Sequence, residues 1–189
     1  RIGRKPIMMI GIAGLSLSFF MQAMATELWM LFAARIIGGM LSSANMPTAM
    51  AYVADITSPE NRGKGMGIIG AAVGLGFVFG PGIGGIFSKS SMSMPFYLAG
   101  ASSLITLVII FFFLKESLQK DNAEVNQGKT QSRWKAFSGP AAILFLLQLL
   151  ISLSLSGLEA TFAYFAAKKA GLGAIQLGYI FMIMGFAGA

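Results

Sequence analysis

The chain contains no cysteine and no histidine, and it has few charged residues. Without cysteine it has neither a disulfide framework nor a thiolate metal site. Without histidine, proton transfer near neutral pH must use a carboxyl group whose pKa is moved from its ordinary value. Charged residues make up 11% of the 189 residues, whereas soluble domains carry about a quarter. These deficits point away from a soluble globular domain.

Long apolar runs dominate what is present. Hydrophobic residues make up 56% of the sequence, alongside 24 glycines. Runs of about 20 apolar residues are read as membrane spans. Hydropathy predicts six, at residues 7–25, 28–54, 66–87, 95–114, 139–167 and 174–189. The sequence therefore predicts an all-α, polytopic membrane protein in contact with the lipid bilayer, and its ends lead us to expect a fragment of a longer chain.

The basic residues predict the orientation of the spans. Alternate connections carry ten lysines and arginines on one side and three on the other. Cytoplasmic loops are enriched in these residues, so we expect the richer side to be cytoplasmic. That side holds Arg1, Arg4, Lys5, Arg62, Lys64, Lys115, Lys120, Lys129, Arg133 and Lys135, and the other holds Lys89, Lys168 and Lys169. Topology thus explains the net charge of +7, and we expect no nucleic-acid partner.

One connection is long and polar. Residues 115–138 contain too little apolar surface to fold alone. We interpret them as a cytoplasmic linker between two helical halves, residues 1–114 and residues 139–189. A flexible tether and a regulatory segment are both compatible with this composition.

Two charged side chains, Arg35 and Glu159, fall inside the predicted spans. Such residues usually face a bundle interior or a water-filled cavity, because a charge in hydrocarbon is costly. Arginine keeps its charge and provides a fixed field beside a carboxyl group, so we predict that the two couple transport to protons. Snorkelling of Arg35 to the outer interface and a structural hydrogen bond from Glu159 are the alternatives.

Polar side chains share helical faces with these charges. Asn45 continues the face of Arg35, and a stripe at helical spacing leads to Glu159 and on to Phe162. A polar stripe on an apolar helix favours a cavity. The predicted cavity residues are Asn45, Gln148, Ser152, Ser156 and Phe162.

Three motifs resemble those of a known family. They are Arg1-Ile2-Gly3-Arg4-Lys5-Pro6, Arg35-Ile36-Ile37-Gly38-Gly39 and Gly76-x3-Gly80-Pro81-Gly82-x-Gly84-Gly85. In this order they are similar to the signatures of the major facilitator superfamily, and the third is similar to the motif of its drug:proton antiporters. Residues 94–97 and 157–162 resemble the quinolone and multidrug exporters of Gram-positive bacteria. The resemblance covers about half of a twelve-helix transporter, with its third to sixth helices in residues 1–114 and its seventh and part of its eighth in residues 139–189.

The resemblance implies a function and a mechanism. It implies a proton-coupled exporter of apolar or cationic drugs that works by alternating access in the bacterial cytoplasmic membrane. Such a protein would be monomeric at full length and would use the proton gradient without a cofactor. Arg1, Gly3 and Arg4 would form a cytoplasmic gate with Asp55 and Arg62. The antiporter motif would act as a hinge and a sliding surface.

The motifs also have plainer physical interpretations. Gly3 would permit a tight reversal, and the loop cations would only set topology. Gly76, Gly80 and Gly84 recur every four residues, which predicts a helix face where a neighbouring backbone approaches closely. Pro81 removes one helical hydrogen bond and should bend the helix. Tight packing alone would account for these residues.

Other functions fit less of the sequence. No G-x-x-x-x-G-K-[ST] loop for ATP occurs, and no nucleophile-base pair or metal-ligand cluster suggests an enzyme. The spans contain four amide side chains, Gln22, Asn45, Gln148 and Gln176, too few for a sugar site. Transport of a small metabolite or sugar, and a non-transporting membrane scaffold, are the alternatives.

The predicted topology can be tested by cysteine labelling, because the chain has no native cysteine. Lys5→Cys and Gln127→Cys should resist membrane-impermeant thiol reagents in intact cells, since both positions are predicted to be cytoplasmic. Ser90→Cys should react and serves as the positive control. Labelling of Gln127→Cys from outside would contradict the orientation.

Overall fold

The computed structural model describes residues 3–117 and 140–188, which form seven α-helices and contain no strand. The helices are α1 (Arg4–Ala23), α2 (Leu28–Ser42), α3 (Asn45–Ile56), α4 (Arg62–Phe87), α5 (Met94–Phe113), α6 (Pro140–Ala170) and α7 (Ala174–Gly188). By length and composition, α1, α4, α5 and most of α6 can each cross a membrane. The predicted all-α membrane fold is confirmed. Arg1 and most of the predicted linker lie outside the described residues.

The second predicted span, residues 28–54, is not one helix. It is divided into α2 and α3 by a turn at Ser43 and Ala44. Pro47 explains the division, because it has no N–H to donate to the Ser43 carbonyl and its ring clashes with that carbonyl in a continuous helix. The Ser43 hydroxyl donates to the carbonyl of Met40 at 3.3 Å. Hydropathy takes no account of the proline, so it could not indicate this break, and the membrane span at residues 28–54 stays a prediction.

The described helices belong to two compact units. The first contains α1 to α5 and α7, and the second contains α6. Within the first unit, α1 packs against α2, α3 and α5, whereas α4 packs against α3, α5 and α7. We predicted that residues 174–189, which include α7, belong to the second helical half. In the structure α7 packs against α4 of the first half. The division into residues 1–114 and 139–189 stays a prediction.

Buried serines connect α1 to its neighbours. Ser16 and Ser18 are 2% and 3% exposed. The Ser16 hydroxyl donates to the carbonyl of Gly100 in α5 at 3.0 Å. The Ser18 hydroxyl donates to the carbonyl of Ala34 in α2 at 2.7 Å. Interhelical hydrogen bonds of this kind help to hold membrane helices together, so these two fix the depth of α1 against both neighbours.

Backbone atoms of α4 and α7 approach each other closely. A Cβ placed on Gly178 would lie 2.6 Å from the carbonyl oxygen of Pro81. A Cβ placed on Gly85 would lie 2.9 Å from the carbonyl oxygen of Ala174. Both distances are too short for a real side chain, and backbone atoms move less readily than side chains. Glycine at these two positions is therefore what allows the helices to come together.

A third close contact between α4 and α7 lies at the carbonyl group that Pro81 deprives of its hydrogen bond. Because Pro81 has no N–H, the carbonyl of Phe77 loses its helical donor. That carbonyl faces α7, where a Cβ placed on Gly185 would lie 3.0 Å from its oxygen. Cα–H groups at helix interfaces are weak donors to carbonyl oxygens. Gly185 therefore covers the backbone group that Pro81 leaves without a helical partner.

The close contact between α4 and α7 does not use the glycines that recur every four residues. Cβ atoms on Gly76, Gly80 and Gly84 would meet no atom within 4 Å in the described structure. Gly82 and Gly85 are buried and contact α7 instead. With about 3.6 residues per turn, the two sets lie on roughly opposite sides of α4. The contact with α7 therefore uses the other side of α4, and the close approach at Gly76, Gly80 and Gly84 stays a prediction.

Gly178→Ala should lower the thermal stability of the purified protein, because the added methyl would meet the Pro81 carbonyl rather than a movable side chain. Overpacking of this kind costs about 1–3 kcal/mol. Gly80→Ala is the matched control, since its methyl would enter open space and alanine favours helix over glycine. Thermal unfolding in detergent measures both variants. Equal losses of stability would contradict the assignment of the contact face.

Candidate functional site

Charged and polar groups meet at the ends of α1, α3 and α5. Arg4 and Lys5 begin α1, Asp55 lies in the last turn of α3, and Glu116 and Ser117 follow α5. We call these five residues the basic-end cluster, because the sequence places most of its lysines and arginines at this end of the helices. It is the end that the charge pattern predicts to be cytoplasmic.

Arg4 forms an ion pair with Asp55. The Nε atom of Arg4 lies 3.3 Å from Oδ2 of Asp55, and the Ser117 hydroxyl donates to the same oxygen at 3.2 Å. The two side chains of the pair are 35% and 31% exposed. Water therefore screens the pair, which contributes about 0–1 kcal/mol to stability. Its main effect is to hold the ends of α1 and α3 in a defined arrangement.

Glu116 caps the first turn of α1. Its Oε1 accepts the backbone N–H of Arg4 at 2.8 Å, and its Oε2 accepts the N–H of Lys5 at 3.2 Å. The first N–H groups of a helix lack intrahelical partners, and a negative charge there is favoured by the helix dipole. The N-cap residue is Gly3, which has no side chain to accept these N–H groups. A residue 112 positions further along the chain than Arg4 supplies the cap instead.

Gly3 provides space for a neighbouring side chain rather than a special backbone conformation. Its φ of −66° and ψ of 171° are extended values open to any residue, so the interpretation as a tight reversal was wrong. The carboxylate of Glu116 occupies the position where a Cβ of residue 3 would lie. A side chain at this position would displace the carboxylate from the start of α1.

Lys5 makes the reverse connection, from α1 to α5. Its ammonium group donates to the carbonyl of Phe111 at 2.8 Å and lies 5.7 Å from the centre of the Phe111 ring. Phe111 is in the last turn of α5, where carbonyls lack helical donors and a cation is favourable. The start of α1 and the end of α5 therefore cap each other.

The other residues predicted for the gate are placed differently. The Arg62 guanidinium donates to the carbonyl of Ala54 at 3.3 Å, and no ion pair joins Arg62 to Asp55 within the described ranges. Arg1 lies outside those ranges. Glu116 was not predicted as a site residue. Its signal in the sequence is an acidic residue two positions after the end of an apolar span.

Arg35 and Glu159 lie in different compact units, in α2 and α6 respectively. Both side chains are exposed, and neither forms an ion pair with a described residue. The residue before Arg35 is Ala34, which is buried and whose carbonyl accepts the Ser18 hydroxyl. The coupling of Arg35 to Glu159 stays a prediction.

The polar stripe of α6 lies on a continuous helix. Gln148, Ser152, Ser156 and Glu159 follow one another at steps of four, four and three residues, and all four are exposed. The Gln148 amide donates to the Ser152 hydroxyl at 3.5 Å. Phe162, three residues further on, is partly buried. The helix therefore presents one polar side along an otherwise apolar span, and its part in a substrate cavity stays a prediction.

Asn45, the remaining predicted cavity residue, contacts α1. Its amide lies where a Cβ of Gly11 would be. The side-chain oxygen is buried and has no hydrogen-bond partner in the part of the chain that the structure describes. As the first residue of α3, Asn45 sits directly after the break at Ser43 and Ala44. Its observed contact is with a neighbouring helix rather than with a described cavity.

Comparison with known proteins identifies the class of this chain. The family model of the Major Facilitator Superfamily matches residues 1–189. The chain therefore belongs to this superfamily of membrane transporters, which agrees with its apolar helices and with the motifs quoted above. It is not an enzyme.

Individual relatives refine this assignment. The chain is 34% identical over 178 residues to "Multidrug resistance protein 1" of Bacillus subtilis (strain 168), which covers 94% of the chain and 46% of the relative. It is 32% identical over 173 residues to "Quinolone resistance protein NorA" of Staphylococcus aureus (strain MSSA476), with 89% and 44% covered. It is thus homologous to multidrug efflux proteins and spans about half the length of the curated relatives it matches.

A solved structure supports the fold. The human organic anion transporter MFSD10 (TETRAN) matches with a TM-score of 0.63 and 28% sequence identity. The match covers 97% of this chain and 48% of the transporter chain. The helices described above therefore have the arrangement of a segment of the major facilitator fold.

The Arg4–Asp55 pair can be tested by a double-mutant cycle. Arg4→Gln and Asp55→Asn should be non-additive in unfolding free energy, with a coupling of about 0.2–1 kcal/mol that shrinks as salt is raised. Denaturant unfolding in detergent gives the values. Glu60→Gln is the control, because Glu60 is an exposed carboxyl that is not part of the pair. Hydrogen bonds from its own backbone N–H and from the Ser58 hydroxyl lower the pKa of Glu60. If the losses of unfolding free energy in Arg4→Gln and Asp55→Asn simply add in the double variant, the two side chains are not coupled.

Proposed function

We propose that this chain is part of a proton-coupled secondary exporter of apolar or cationic small molecules that works by alternating access. The observation that carries the proposal is the polar stripe on α6, which leads to Glu159 on an otherwise apolar membrane-spanning helix. Ionisable residues within membrane spans are costly and are usually functional. Relatives named for multidrug and quinolone resistance support export of foreign compounds as the function.

Glu159 would be the coupling group. A carboxylate attracts a cationic substrate, and protonation removes the charge that provides this attraction. A bound proton and a bound cation would therefore exclude each other at this side chain. Proton movement into the cell would then drive substrate movement out of it. These 189 residues contain no histidine, so within this segment a carboxyl group is the candidate proton carrier.

Arg35 would act on every substrate. An arginine side chain stays charged at any cellular pH, so it would provide a constant field in the transport pathway. The proton gradient would be the energy source, and no cofactor would be needed. The protein would act as a monomer in the bacterial cytoplasmic membrane, surrounded by lipid.

The basic-end cluster would close the cytoplasmic side. Secondary transporters expose a central site alternately to the two sides by moving one helical bundle against another. Contacts that join the ends of several helices, such as Arg4 with Asp55, would hold one of these states together. The exposed position of the pair would let it break and reform as the helices move.

In the full-length protein, Glu159→Gln should abolish proton-driven export of a cationic dye, because glutamine neither carries the charge nor exchanges a proton. Expression and most of the affinity for neutral apolar substrates should be retained. Arg35→Ala should impair both substrate types. Dye efflux from energised vesicles under an imposed pH gradient provides the measurement.

Glu27→Gln is the matched control for this experiment. It is the same substitution at the residue that precedes α2, outside the helix, and it should leave dye export unchanged. If the Glu159→Gln protein still exports the cationic dye in a proton-coupled way, the coupling carboxyl lies elsewhere. That result would contradict the proposed mechanism.

A further inference from the structure

We propose that the break between α2 and α3 is a water-binding site in the middle of the membrane, opened by Pro47 and facing the transport pathway. The inference goes beyond the proposed function, because it requires a membrane transporter but no particular substrate or coupling group. The ligand is water itself, bound to backbone groups that a continuous helix would pair with one another.

The turn at Ser43 and Ala44 interrupts the backbone hydrogen bonds of one helical turn. After the interruption, three consecutive N–H groups donate to no described residue, and they belong to Ala44, Asn45 and Met46. Before it, three consecutive carbonyls accept from no described residue, and they belong to Leu41, Ser42 and Ser43. The pairing stops at the Ser43 N–H, which donates to the Gly39 carbonyl at 3.1 Å, and resumes at the Thr48 N–H, which donates to the Ala44 carbonyl at 3.0 Å.

Pro47 keeps these groups unpaired. It has no N–H for the Ser43 carbonyl, and its ring clashes with that carbonyl in a continuous helix. The turn itself keeps nearly helical backbone angles, with φ −55° and ψ −31° at Ser43 and φ −84° and ψ −6° at Ala44. The chain therefore continues from α2 into α3 without reversing, and the bonds are lost at a kink rather than in a loop that could leave the membrane.

Contacts with α1 give the depth of the kink. The helix α1 runs from Arg4 to Ala23 and is long and apolar enough to cross a membrane. Near its middle, the Leu41 side chain lies where a Cβ of Gly14 would be, and the Asn45 side chain lies where a Cβ of Gly11 would be. The turn falls between Leu41 and Asn45, so its unpaired groups lie near the middle of a membrane-spanning helix.

Lipid is a poor neighbour for these groups. Irregular backbone at membrane depth is tolerated only where protein buries it or where it lines a water-filled cavity. Ser43 is exposed, as are Gly39 and Arg35, which precede it by four and eight residues and lie on roughly the same side. A Cβ on Gly39 would meet no described atom within 4 Å. Because a charge also disfavours hydrocarbon, the side of α2 that leads from Arg35 to the kink faces water.

The kink offers the mixture of groups that bound water requires. A buried water typically makes about three hydrogen bonds to polar groups that otherwise lack partners. Around the turn both donors and acceptors are unpaired within the described residues. The side-chain oxygen of Asn45, buried beside the turn, also has no partner in that part of the chain. Water molecules can therefore replace the helical bonds that Pro47 prevents.

Hydrogen exchange tests the proposal directly. The full-length protein in lipid nanodiscs, without substrate, is transferred to deuterated buffer, and mass spectrometry follows uptake at residues 44–46. Helical hydrogen bonds protect N–H groups from exchange, so groups bound to water should exchange quickly. Pro47→Ala supplies the missing donor and removes the ring clash. It should slow exchange at residues 44–46 several-fold.

Pro95→Ala is the matched control. It is the same substitution at a proline in the first turn of α5, far along the chain from the kink. It should leave exchange at residues 44–46 unchanged.

A second measurement leaves Pro47 in place. Ser43→Cys is introduced into a full-length protein in which any cysteine outside these 189 residues has been replaced. It should react with a small charged thiol reagent that is applied to each side of the membrane in turn, because such a reagent travels only through water. Ile105→Cys, at a residue that is 62% exposed in the apolar helix α5, should react several-fold more slowly.

Two results would overturn the proposal. Equal exchange at residues 44–46 in the wild-type and Pro47→Ala proteins would show that Pro47 does not open these groups to water. Labelling of Ser43→Cys from neither side faster than that of Ile105→Cys would show that water does not reach the kink. Both experiments need neither substrate nor a proton gradient and leave Glu159 unchanged, so their failure is distinguishable from failure of Glu159 as the coupling group.

Discussion

Every N–H and carbonyl group that this chain carries into hydrocarbon must find its partner within the protein. A helix meets this requirement along its length and fails to meet it at its ends and before each proline. Those are the places where the described helices make their most specific contacts. Gly185 covers the Phe77 carbonyl that Pro81 leaves without a helical donor, and the start of α1 and the end of α5 cap each other through Glu116 and Lys5.

The two prolines show how position decides the outcome. Pro81 lies inside α4, which continues unbroken from Arg62 to Phe87 with α7 against the freed carbonyl. Pro47 lies in the first turn of α3, where a missing N–H is tolerated. There α2 ends at Ser42 and α3 begins at Asn45. A proline within an apolar run therefore does not by itself indicate a break. What matters is whether a neighbouring helix can cover the carbonyl that it exposes.

Local features of the sequence were sufficient to predict the class of fold and the polar stripe on α6. Span positions and the stripe from Gln148 to Glu159 depend on composition and helical spacing, which are properties of short segments. The close contacts depend on pairings between distant segments. Gly82 and Gly85 were distinguishable from the more regularly spaced Gly80 only once α7 was placed, and the cap that Glu116 provides joins residues 112 positions apart. Periodicity contains no information about such partners.

The contrast between the two main contacts suits the alternating access that we propose for this transporter. A ligand can shift a two-state equilibrium only by the difference in its affinity for the two states, so the contacts that are broken must be weak. The Arg4–Asp55 pair is about one-third exposed, and a screened pair of this kind contributes only about 0–1 kcal/mol. Water can replace each of its bonds as the helix ends separate. In the contact between α4 and α7, glycines meet backbone carbonyls directly. Separation there would remove the Gly185 contact from the Phe77 carbonyl, so in the proposed mechanism these two helices would slide while staying in contact.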